Sequence, residues 1–398
     1  MTTDLVNKAG TRHPVPTRAG DERFVPMAAR IGAVAAEHAA EHDRDATFVR
    51  PAYEAMRTEG YLRLAVPAEL GGLGATVRQV CHAQAELARH DGATALAIAM
   101  HQFNTLTLAY LRRHGAPGAE DTLRRVAGAG LVIATSGGSD WLWPETVAVP
   151  DGDGFRVSGR KVFCSQAPGA SVVTTCAVVG EPGEGAEVIH FTVPLAAEGV
   201  RIEETWDTLG MRGTASHDLV LENVLVSGDS VEARRPWGEF GAPLMTAGAH
   251  FAPVVSAVYF GIAAAARDVA VAQAAGGSRG PSAMAGLSRV HRQIGLMDAR
   301  LRVAWWALMG SLDELGDEYA CDPPAVVTMM LAKREAVEAA VEVVNLAMDL
   351  AGGRSYFRRF PLERAYRDVR AGAFHPFTPE ATLSYAGRVT LGDPGVSE

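Results

Sequence analysis

The apolar positions of this chain change their period twice. From Met27 to Ala39 and from Val77 to Arg89 they recur at helical spacing, which predicts two amphipathic helices. The run from Ala93 to Arg112 is apolar almost throughout and predicts a helix buried on most sides. Between them VPAELGGLGAT (66–76) is punctuated by Pro and Gly and reads as a loop. Past about residue 130 the helical period gives way to short β-branched runs separated by turn signals. LVIAT (131–135), FRVSGRKVF (155–163), SVVTTCAVV (171–179), EVIHFTV (187–193) and DLVLENVLV (218–226) predict strands, and DGDG (151–154) a hairpin turn. Strands this short and this closely spaced suggest a small barrel or sandwich. Helical spacing then returns, with helices expected near 254–274, 283–315 and 325–351, a loop from Gly276 to Pro281, and a stop at Gly352-Gly353. The residues from Gly387 onward are expected to fray.

The fold class is therefore α+β in three parts: an all-α domain over 1–128, a β domain over 129–238 and a C-terminal helical bundle over 239–398. This order differs from the βαβα alternation of a dinucleotide-binding sheet. No GxGxxG follows a strand and no GxxxxGK[ST] exists. Acidic residues outnumber basic ones 46 to 37, and the net charge of -9 argues against a nucleic-acid partner. The four cysteines form no CxxC pair, so no metal is expected. The N-terminus lacks a basic and then apolar leader, and the longest apolar run, Phe251 to Ala266, contains Pro253 and is shorter than the roughly 20 residues a spanning helix needs. The expectation is a cytoplasmic protein with no membrane partner.

Five words in this order carry a family resemblance: VPAELGGLG (66–74), ATSGGSD (134–140), VSGRKVFCSQAPGA (157–170), TLGMRGTASHDLVLENVLV (208–226) and AGGRSYFRRFPLERAYRDVRAG (351–372). Together they resemble the acyl-CoA dehydrogenase superfamily over about residues 25–392. The resemblance implies a flavin, FMN or FAD, held between the β domain and the C-terminal helices of a homotetramer. Members that dehydrogenate acyl-CoA use a glutamate base, and one family position for it lies eight residues after the Asp of the RD word. Here that word is Arg367-Asp368, and the position holds Pro376; the other family position falls near His250 or Phe251. Neither carries a glutamate. The stretch RDVRAGAFHP instead resembles the flavin-dependent monooxygenase branch, the group of dibenzothiophene monooxygenase, which carries a histidine where this chain has His375 and a serine where FCSQAPGA has Ser165. His101 in AIAMHQFN is a third matching position. The C-terminal helices also lack the Arg-x-x-Phe-Gly word that grips FAD, since Arg279 has no Phe-Gly partner.

The resemblance implies a two-component monooxygenase: a separate reductase supplies reduced flavin, O2 adds to form a C4a-peroxyflavin, and one oxygen passes to a small organic substrate. His375 is expected to take and give a proton, because free imidazole titrates near neutral pH. Ser165, at a strand end, is expected to donate to the flavin or to a developing oxyanion. His101 is a candidate proton carrier, against the alternative of a satisfied core histidine. Thr135, Ser136 and Ser139 suit a flavin's pyrimidine edge, and Phe163 its ring face. Gly352 and Gly353 suit a flavin phosphate, with six arginines close by (354, 358, 359, 364, 367 and 370). Arg212 in GMRGT faces substrate or flavin on this reading, or else holds a turn. A dehydrogenase with an unusual base and an inactive scaffold are the alternatives.

Overall fold

The computed structural model describes residues 12–136, 138–276 and 284–393, with the side chain of Ser139 outside that description. Arg279 and most of the loop expected at 276–281 also lie outside the described residues. The N-terminal part is built from α1 (Val25–Asp45), α2 (Arg50–Glu59), α3 (Val77–His90), α4 (Gly92–Arg113) and α5 (Ala119–Ala129). Thr76 begins α3 with a reciprocal cap: its hydroxyl accepts from the Gln79 N–H while the Gln79 side chain accepts from the Thr76 N–H. The helix α4 is buried over nearly its whole first four turns, as its composition predicts.

The β strands are β1 (Ile133–Thr135), β2 (Val147–Asp151), β3 (Gly154–Lys161), β4 (Val172–Val179), β5 (Glu187–Pro194), β6 (Val200–Glu203), β7 (Asp218–Val226) and β8 (Val231–Pro236). They form one curled sheet in the order β6-β7-β3-β2-β4-β5-β8, with β1 parallel to β4. The DGDG hairpin joins β2 to β3, Asp151 opposite Gly154. Three strands escape the pattern reading, β2, β6 and β8. The sequences VRIE and VEARRP place charged residues on exposed positions of the strands at either end of the sheet, so neither shows an apolar run. The inward side chains, among them Phe155, Val173, Ile189, Phe191 and Leu221, form a separate apolar core.

The C-terminal part comprises α6 (Ala242–Ala275), α7 (Ser288–Leu315), α8 (Pro323–Ala351), α9 (Pro361–Asp368) and α10 (Pro379–Thr390). The expected helix at 254–274 begins twelve residues earlier, because α6 runs straight through Pro253. It is long and apolar enough to cross a membrane, yet 89% of its most apolar stretch is buried inside the protein. It is the shared wall between α3, α4 and α8. A Cβ at Gly261 would collide with the Ala85 carbonyl oxygen, so glycine at this position sets how closely α6 and α3 approach. Of the tail expected to fray from Gly387, residues 387–390 complete α10, whose first turn is capped by Thr378, and residues 394–398 lie outside the described residues.

Candidate active site

A cavity of about 460 Å³ opens where the three parts of the chain meet. Its β side is made by the end of β1, the turn after β3 and the loop from β6 to β7. Here lie Thr135, Ser136, Phe163, Ser165, Trp206 and Ser216. Its helical side is apolar, with Leu96 and Met100 of α4, Leu244 and Phe251 of α6 and Met330 of α8. The segment after α9 closes it with Arg370, Phe374, His375 and Pro376. Among the described lining residues there is no aspartate or glutamate.

The polar side has a defined hydrogen-bond order. Ser165 lies 2.8 Å from the Ser216 hydroxyl, which lies 2.7 Å from Thr214, and Thr214 donates to the Met211 carbonyl. Ser165 sits four residues past the end of β3, in a turn and not at a strand end as expected, but it does reach the cavity. Ser136 shares its hydroxyl with Thr175 at 2.9 Å. Thr135 Oγ1 is buried and has no partner among the described residues. An unpaired buried hydroxyl on a cavity wall calls for a ligand atom that hydrogen-bonds. Phe163, at φ 64° and 54% exposed, stands edge-on to Trp206 with ring centres 5.7 Å apart. Thr135, Ser165 and the Phe163–Trp206 pair could hold a flat heterocycle with carbonyl and N–H groups along one edge, which is the description of a flavin's isoalloxazine.

Opposite them His375 is held from two directions. Its Nε2 lies 2.7 Å from the Tyr259 hydroxyl. Tyr259 is fully buried on α6, and His375 is the single hydrogen-bond partner of its hydroxyl among the described residues. The phenol therefore donates to Nε2, which leaves the ring hydrogen on Nδ1. The backbone is held by Lys333 of α8, whose Nζ donates to the carbonyls of His375 at 3.2 Å and Phe377 at 2.8 Å. Lys333 is buried and burial lowers it to about 7. Burial, with Lys333 beside it, lowers His375 to about 3. The imidazole is thus neutral at physiological pH, a correction to the expectation that it titrates near neutrality. Such a ring holds a proton at Nδ1 as a donor; it does not store one as imidazolium.

Behind this segment, burial pushes Asp368 up to about 7 although its Oδ1 accepts the Met211 N–H at 2.6 Å. Arg367 lies between the three parts of the chain. It pairs with Asp43 of α1 at 2.6 Å and Glu363 of α9 at 2.7 Å, and donates to the Leu209 carbonyl.

Four expected site residues lie elsewhere. His101 is fully buried in α4 and does not line the cavity: its Nε2 donates to the Leu62 carbonyl at 2.6 Å and its Nδ1 accepts from the Ile133 N–H at 3.1 Å. Both nitrogens are committed, and burial lowers it to about 4, so this is the satisfied core histidine of the alternative reading. Arg212 is spent on its own loop and the end of α1, donating to the Thr208 and Asp43 carbonyls and pairing with Asp207 at 2.8 Å; it holds a turn. Gly352 ends α8 as expected, but neither it nor Gly353 lines the cavity, and both face open space. Of the six arginines only Arg367 and Arg370 reach the cavity. Pattern reading missed Tyr259, Lys333 and Trp206; a tyrosine and a lysine inside two otherwise apolar helices were the available signal.

The sequence matches the acyl-CoA dehydrogenase N-terminal domain over residues 24–123, the middle domain over 134–224 and the C-terminal domain over 253–380. It is 33% identical to the amino sugar nitrososynthase DnmZ of Streptomyces peucetius, over 93% of this chain and 92% of that one. The crystal structure of a nitrososynthase from Micromonospora carbonacea var. africana superposes with a TM-score of 0.84 at 30% identity, covering 95% of this chain and 98% of the other. KijD3, solved in complex with FMN and dTDP-3-amino-2,3,6-trideoxy-4-keto-3-methyl-D-glucose, superposes with a TM-score of 0.80 at 29% identity, covering 95% of each chain.

Proposed function

The chain belongs to the acyl-CoA dehydrogenase family, and we propose that within it this protein is a flavin-dependent monooxygenase, using reduced flavin and dioxygen to oxygenate a small organic substrate. One observation carries the reading. Of the residues at the two family positions for the dehydrogenase base, Pro376 at the one and Phe251, one of the two candidates at the other, line the cavity. Removing an α-proton from an acyl thioester needs a base within hydrogen-bond reach, and neither side chain is one. His250, the neighbour of Phe251, is buried off the cavity with Nδ1 on the Thr246 carbonyl. The similarity to DnmZ, an amino sugar nitrososynthase, supports the same direction, as does the FMN in the KijD3 structure.

When bound, reduced flavin supplies the two electrons that activate dioxygen. The residues of this chain do the rest. Thr135 and Ser165 orient the ring edge, and Phe163 with Trp206 flanks its plane. The apolar helical side excludes water, which strengthens every polar contact inside. His375 holds a hydrogen at Nδ1, and Tyr259 and Lys333 keep that donor in place. On this reading the flavin is FMN or FAD, delivered reduced by a separate reductase to a cytoplasmic homotetramer.

The test is rapid mixing. Protein loaded anaerobically with chemically reduced FMN is mixed with oxygenated buffer and followed by absorbance. Reoxidation slower than that of free reduced FMN, in two resolved phases, is expected. Single-phase reoxidation at the free rate, together with bleaching of bound oxidised flavin by acyl thioesters without oxygen, overturns the proposal in favour of a dehydrogenase.

A further inference from the structure

Among the described residues two arginines line the cavity, and their partners differ. Arg367 is neutralised by Asp43 and Glu363. Arg370 has no carboxylate partner among the described residues: it donates to the Asn345 side-chain carbonyl at 3.0 Å, and its guanidinium lies over the Tyr366 ring at 4.4 Å. These two contacts fix the direction of the side chain and leave its charge uncompensated. No acidic residue among the described lining offsets it, and the buried Asp368 behind the wall is turned to the Met211 N–H. The rest of the helical side offers methylene, methyl and phenyl surface from Leu96, Met100, Phe103, Leu244, Phe251 and Met330. A ligand with many hydroxyls would leave each of them unpaired against that surface, which is unfavourable. An ammonium group would find no counter-charge there.

We propose that Arg370 is the anion anchor of this cavity and receives one anionic group, either the acid group of a substrate whose body is apolar or the phosphate of the flavin. A guanidinium held by stacking presents a pre-aimed fork to such a group. This deepens the monooxygenase reading by giving its site a ligand class. The anion has two sources, the phosphate of the flavin or an acid group of the substrate.

Equilibrium binding separates them. One arm titrates the FMN-loaded protein with naphthoate, naphthylmethanol and naphthylmethylamine, isosteric probes that are anionic, neutral and cationic. The other arm compares FMN with riboflavin, which lacks the phosphate. Wild type is expected to bind naphthoate over naphthylmethanol, or FMN over riboflavin, by roughly ten- to a hundredfold, and Arg370→Gln to abolish the preference. Loss in the first arm assigns the anion to the substrate, and loss in the second to the cofactor. Arg370→Lys keeps the charge without the fork and is expected to retain part of the preference; it carries the test should the Gln variant not fold. Unchanged preferences in both arms, or naphthylmethylamine bound as tightly as naphthoate, overturn the proposal. Neither arm involves oxygen, so a failed oxygen reaction and a failed anchor are read separately.

Discussion

Tyr259 and His375 lie 116 positions apart in the sequence, and the 2.7 Å contact between them selects which imidazole nitrogen carries the hydrogen. Without the phenol the ring is free to turn or to change tautomer. Tyr259→Phe is expected to lower the rate of substrate oxygenation about tenfold with little change in KM, the value of one orienting hydrogen bond. His375→Ala is expected to cost roughly 10²–10⁴-fold. Steady-state kinetics on the two variants checks the order, and equal losses would place the whole effect on ring orientation.

Lys333 holds the same segment by its backbone, and its titration gives a stability signature. Its pKa falls from 10.5 in the open chain to about 7 when folded. Between those values the unfolded chain binds the extra proton, so wild-type stability rises with pH. Lys333→Met removes this contribution. Urea unfolding of both proteins from about pH 7 to about pH 10 is expected to show the wild type gaining on the variant. A constant difference across that range would mean that the ammonium is not buried as described.

Gly138 faces Pro376 across the cavity mouth, and a Cβ there would collide with the proline ring. Gly138→Ala must push the loop after β1 away from the segment that carries His375. Overpacking of this kind is expected to cost about 1–3 kcal/mol and to weaken flavin binding as the two walls separate. Thermal melting and a fluorescence titration with FMN measure the two effects. Unchanged FMN affinity in a destabilised variant would show that this loop does not touch the cofactor.

Acid is expected to unfold the protein from just below neutrality. Burial holds His82, His101 and His250 at about 4 and His190 and His375 at about 3, against 6.5 in an open chain. Between those limits the unfolded chain binds the protons and the folded chain does not, so stability falls as pH falls. Asp368, raised by burial, acts in the opposite sense but is outnumbered. Urea midpoints that decline steadily from about pH 6.5 to about pH 4 are the expected result, and a flat profile would contradict the burial of these histidines.

The three-part order, and five of the eight strands among the described residues, were legible because each inward strand or helix face carries an unbroken apolar period. The run at 218–226 is a strand over those same residues. The strands β6 and β8 were not legible, since Arg, Glu and Pro dominate them and their pairing depends on β7 and β5. At the site, Ser165, Thr135 and His375 could be named because short words surround them. His101 was misjudged for the opposite reason. Its word matches the family pattern, but whether a histidine faces a cavity or a carbonyl depends on what packs there, and that is Leu62 and Ile133. Tyr259 and Lys333 belong to no local word; only the packing of α6 and α8 against residues 375–377 brings them into play.

Arg367 joins Asp43 near the start of the chain to the Leu209 loop in the middle and Glu363 near the end. This has a consequence for the order of synthesis. A nascent chain that has delivered only its first 350 or so residues holds the hydroxyl wall at Thr135 and Ser165 and the apolar helices beside it, but no Arg367 bridge, no Arg370 and no His375. Domains fold as they emerge from the ribosome. The residues of the half that suits a flat ring are therefore made before those of the half that closes over it, and His375 follows, in the order of synthesis, the walls that keep water from it.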